Sequence, residues 1–86
     1  MKEFDAFEYI ERDEDGSVDE SFLVLYAGEG LNPKYPDDWN FWLWLPRYNM
    51  WERHSVDKRA ELREPSDYQK EEIIKALFLA NKWVKQ

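Results

Sequence analysis

Eighty-six residues with a formal net charge of −7 and no cysteine define one small domain that cannot rely on disulfide or thiolate–metal staples. Its stabilising material is aromatic: five Trp, five Tyr and five Phe, each able to bury roughly 150–250 Å². No apolar run approaches the ~20 residues of a membrane span. The opening "MKEFDAFEYIERDEDG", one lysine and then acids, lacks the pattern of a targeting peptide, so a cytoplasmic protein is expected.

The charge is unevenly placed. Residues 1–30 hold ten acids against Lys2 and Arg12, whereas residues 31–86 hold nine acids and ten bases. Such an acidic first third repels phosphate, which argues against direct binding of DNA or RNA. It attracts basic protein surfaces and speeds encounter with them.

In chain order, residues 4–10 ("FDAFEYI") and 22–27 ("FLVLYA") read as strands, joined through a polar segment containing Asp15-Gly16. That dipeptide is a strong hairpin signal. A two-residue turn there sets Tyr9 opposite Phe22, Phe7 opposite Val24 and Arg12 opposite Asp19. One face then carries Phe7, Tyr9, Phe22, Val24 and Tyr26, the other Phe4, Ala6, Ile10, Leu23 and Leu25. A turn longer by one residue would exchange the faces.

Residues 28–38, with two glycines and two prolines, form a long loop, a secondary candidate for partner contact. "NFWLWLP" reads as a strand ended by Pro46, and "MWERHSV" as a possible fourth strand after a turn at residues 46–49. Ser66 and Gln69 match a capping box. Beyond them Ile73, Leu77, Ala80 and Val84 recur at helical spacing, predicting a helix over 67–85. The expected fold is therefore α+β: a single domain over 1–86, with a three- to four-stranded antiparallel sheet and one C-terminal helix packed on one face.

Within "WNFWLWLPRYNMW", four tryptophans stand in thirteen positions. As a strand it places Phe41, Leu43 and Leu45 on one face and Trp42 and Trp44 on the other. The aliphatic face suits packing beneath the helix, leaving Trp42 and Trp44, joined by Trp39 and Trp51, on the uncovered side. Aromatic residues there would anchor a protein partner, with Tyr48 beside them, while Asp13, Glu14 and Asp15 at the hairpin tip steer a basic surface into place.

Catalytic and metal chemistry find little purchase. Setting Gly16 at the sixth position of a calcium loop places Glu11, Asp13 and Asp15 at ligand positions, but Phe22 falls where a bidentate Glu is required. His54 is the only histidine, and no phosphate loop or zinc motif accompanies it. "MWERHS" resembles the closing Trp-Glu-Arg-Pro of WW domains, which bind proline-rich peptides. His54 stands in place of the proline, however, and the upstream tryptophans lie too close to Trp51, so no family follows.

The residues thus point to a small non-enzymatic protein-binding module without metal or cofactor, of the inhibitor, immunity or phage host-takeover type. Its partner would be a protein with a basic surface, which the acids could engage by mimicking nucleic acid. The alternatives are a homodimer joined through the aromatic face and a module for carbohydrate or another small ligand.

Overall fold

The computed structural model describes residues 1–85. The hairpin signalled by Asp15-Gly16 is formed by β1 (Ala6–Arg12) and β2 (Val18–Glu29). The Asp13 N–H donates to the Ser17 carbonyl at 2.8 Å, enclosing a three-residue loop in which Gly16 takes φ +87°. A left-handed residue in that place is what a loop of this length needs. The loop is one residue longer than the expected two-residue turn, yet the faces do not exchange. β2 carries one extra residue, Asp19, between the Arg12↔Val18 and Glu11↔Glu20 pairs. This bulge restores the inner register, so Tyr9 faces Phe22 and Phe7 faces Val24, while Arg12 faces Val18 instead of Asp19.

β3 (Trp39–Leu45) pairs with β2, then turns at residues 46–49 into β4 (Met50–Val56). β5 (Glu61–Arg63) returns to the free side of β1, opposing Tyr9 with Leu62. α1 (Asp67–Leu79) follows, and β6 (Lys82–Lys85) closes the order β5-β1-β2-β3-β4-β6. The fold is α+β with one helix and a mostly antiparallel sheet; only β6 runs parallel to its neighbour β4. The sheet has six strands, not three or four. β5 is too short to show alternation in the sequence, and β6 lies inside the segment assigned to the helix.

The helix begins as expected. The Gln69 N–H donates to Ser66 Oγ at 3.1 Å and the Ser66 N–H to Gln69 Oε1 at 2.8 Å, satisfying two otherwise orphaned donors. It ends at Leu79, six residues before the expected end at 85. Ala80 is extended (φ −60°, ψ 122°), and the Asn81 N–H donates to the Asn49 carbonyl at 2.8 Å. That bond delivers Lys-Trp-Val-Lys to the edge of β4, where Trp83 stacks on Trp51 at 5.3 Å and 13°. A ring contact outside the helix thus outweighs helical propensity within it.

The link from β4 to β5 dictates the sheet's curvature. Four strand spacings, roughly 19 Å in a flat sheet, separate these strands. The five residue steps from Val56 to Glu61 reach at most about 18 Å when fully extended. This link is also folded, with the Ala60 N–H donating to the Asp57 carbonyl at 2.9 Å. The sheet must therefore curl. Its inner face gathers Val24, Tyr26, Phe41, Leu43 and Val56, with Ala60 and Leu62 packed against them.

The helix covers the opposite face, where Leu25, Trp44 and Trp51 lie beneath Ile73 and Ala76. This inverts the expected arrangement. Phe41 and Leu43 are sheltered by the curl of the sheet together with Trp39, and Trp42, Trp44 and Trp51 lie on the helix side. The curl supplies a cover that a flat-sheet reading does not contain.

Candidate functional site

The eight residues expected at a partner surface divide into two groups. Trp51 is fully buried and Trp44 is 8% exposed. They touch each other at 5.1 Å between ring centroids. Trp42 is half-buried, meets Trp83 edge-on at 5.1 Å and lies under the Arg53 guanidinium at 5.8 Å. Trp39 sits on the other face, edge-on to Phe41 at 6.2 Å. These indoles are chiefly core. Tyr48 is exposed, as are Asp13, Glu14 and Asp15.

The acids of the hairpin form an arm that continues past its tip. Asp15 is held below the usual carboxylate range by the Ser17 hydroxyl and backbone N–H, which lie at 2.6 and 2.9 Å from its Oδ1. Further down the arm, carboxylate oxygens of Glu11, Asp19 and Glu20 lie within 4.8 Å of one another. Glu11 and Glu20 face each other across the two strands, a like-charge pairing that costs stability. Arg12 does not relieve it, because its guanidinium is engaged by Glu61 at 2.7 and 3.0 Å.

The arm leads into a cleft. A space of about 390 Å³ opens between β2 and the β3–β4 turn, lined by Phe22, Leu23, Trp44, Pro46 and Tyr48, with Glu20, Glu72 and Arg47 around them. On the inner face a second space of about 300 Å³ is lined by Tyr9, Glu11, Glu20, Leu43 and His54, among others. Burial, and then the charge of Glu11, raises the Tyr9 phenol above its ordinary value. His54 Nε2 lies 2.6 Å from Glu52 Oε1.

Of the residues lining the cleft, Trp44 and Tyr48 were among those expected at a partner surface, whereas Leu23, Pro46, Arg47 and Glu72 were not. A signal was present in the register. Once Val24 faces Leu43, the apolar run of β2 ends at Phe22 and that of β3 at Leu45, and Pro46 forbids further pairing.

A second exposed surface lies on the helix. Only Ile73 and Ala76 of α1 are buried, whereas Ile74, Leu77, Phe78 and Leu79 are exposed. Among the described residues, no helix is long and apolar enough to cross a membrane. No family model matches the chain, and no curated protein or solved structure matches it.

Proposed function

We propose that this protein is a non-catalytic binding module, acting in the cytoplasm, that engages a basic surface of another protein. One observation carries this reading: an acidic hairpin arm, exposed from Arg12 to Ser21, that runs directly into an aromatic-lined cleft. Residues in such an arm add little to the core, and their mutual repulsion works against folding. Placed beside a cleft, the same charges accelerate encounter with a basic partner and reject an acidic one. Phe22, Trp44 and Tyr48 then provide the apolar contact that holds the complex.

The test is capture from the native host with the wild-type chain and with an Asp13→Asn/Asp15→Asn/Glu20→Gln variant. Basic proteins retained by the wild type should be released as salt rises and should be depleted roughly tenfold on the variant. Equal retention on both chains would refute the reading.

A homodimer is favoured by a different observation, the exposed flank of Ile74, Leu77, Phe78 and Leu79 on α1. Sedimentation of the purified chain at micromolar concentration separates the two, since a monomer leaves the dimer reading without support.

A further inference from the structure

The β2–β3 ladder starts at Val24↔Leu43 and runs to Glu29↔Trp39. Outside it, Val18 and residues 20–23 of β2 pair with β1 alone, and Trp44 and Leu45 of β3 pair with β4 alone. Two strand edges therefore diverge from a common ladder with a gap between them.

The helix-side cleft is lined by four consecutive residues of β2, Glu20 to Leu23, and by five consecutive residues from Trp44 to Tyr48. A strand viewed from one face presents only alternate side chains. Consecutive lining means that β2 is met edge-on, along its backbone, while the other wall is the last two residues of β3 and the turn that follows them. The inner-face cleft shares Glu20, Phe22 and Leu45 with it, so these three residues border a space on each face of the sheet.

Both openings have apolar walls, and they differ in charge. The inner one sets Glu11, Glu20 and the Tyr9 phenol beside Phe22, Leu43, Leu45 and Val56, with no lysine or arginine, and suits a cation. The helix-side one balances Glu20 and Glu72 with Arg47 around Leu23, Trp44, Pro46 and Tyr48, and suits an apolar group. An extended chain sends successive side chains to opposite faces.

We propose that this gap is a strand-addition slot. It receives an extended segment of the partner in which lysine or arginine alternates with apolar residues, basic side chains entering on the inner face and apolar ones on the helix side. The proposal rests on the basic-partner reading above and names its mode of recognition.

Charge decides against a second copy of this chain as occupant. The residues on the open edge include Asp19 and Glu20, and a copy adding through the same edge would bring those acids together. The other sheet edges are blunted in the usual ways: β5 has three residues, and β6 has four, two of them lysine. The open edge of β2 has neither lysine nor proline; its bulge and acids lie at Asp19 and Glu20, which leaves Ser21 to Leu23 as plain edge. A compact ligand would occupy one opening and leave the other unfilled, whereas a strand engages both.

The experiment uses end-blocked hexapeptides and backbone amide shifts of the isotope-labelled protein. The probes are alternating Lys-Val, a block peptide of three Lys and three Val, alternating Glu-Val, and two alternating Lys-Val peptides N-methylated on odd or on even residues. The alternating Lys-Val peptide should move the amides of residues 20–23, 44, 45 and 47 and bind roughly tenfold tighter than the block peptide. Both N-methylation phases should weaken binding, because a strand lying between two edges points alternate N–H groups at β2 and the rest at β3. Undiminished binding of either phase, or shifts centred on the hairpin tip or on Phe78, would overturn the slot and leave the basic-partner reading intact. Binding of Glu-Val as tight as that of Lys-Val would overturn both.

Discussion

Trp51 shows most directly how an aromatic residue can look like an anchor and act as a core. It is fully buried, stacked on Trp83 and tilted against Trp44, and its Nε1 is buried without a hydrogen-bond partner. Trp51→Ala should cost about 3–5 kcal/mol in urea denaturation, the usual loss for a buried large aromatic, and should abolish the cooperative melt of so small a domain. Trp51→Phe should cost less, since it keeps part of the apolar surface and removes the orphaned donor. At the surface, the Arg12 guanidinium holds Glu61 below the usual carboxylate range, chiefly by hydrogen bonding. A carboxyl group with a depressed folded pKa stabilises the protein above its ordinary pKa and loses that contribution as pH falls through the folded value. Glu61→Gln should therefore lower stability slightly in the neutral region and leave the acid end unchanged, which flattens the acid limb of the stability–pH curve. An unaltered acid limb would show that the pair contributes nothing to folding.

At the scale of elements, the helix is where sequence and structure part. Its N-terminus was legible because capping is local chemistry: Ser66 and Gln69 need only each other and their own backbone. Its far end was not, because Trp83 is drawn out of the helix by Trp51, thirty-two positions earlier in the chain. The apolar stripe of α1 misled in the same manner, since periodicity shows that a face is apolar without showing that anything covers it. Phe78, 87% exposed, should tolerate Phe78→Ser with a change within about 0.5 kcal/mol. Ala76, buried between helix and sheet, should not tolerate Ala76→Leu, where overpacking costs about 1–3 kcal/mol. Thermal melts of the two variants give the comparison. The hairpin register was legible for a less secure reason, because a longer loop and the Asp19 bulge offset each other.

Across the whole molecule, the short link from Val56 to Glu61 determines which face of the sheet needs a helix. Strand assignments alone imply a flat sheet with one bare side, and only the reach of the chain shows that the sheet shelters one side by itself. The cleft was hidden for the same reason, since a gap between strands depends on where two ladders diverge and not on either strand. Deleting two residues from 57–60 should prevent β5 from reaching β1 and expose Phe41 and Leu43, detectable as lost hydrogen-exchange protection in β1. Inserting two glycines should be tolerated, because the cost of closing a loop grows slowly with its length. Loss of folding on that insertion would contradict reach as the cause of the curl.

The contact of Trp83 with Trp51 and Trp42 has an optical consequence. Indoles this close couple their transition dipoles, so their circular dichroism reports mutual geometry as well as local environment. Undocking of β6 would extinguish that coupling while the helix signal persisted. The chain therefore carries an intrinsic gauge of its last strand, readable without a label.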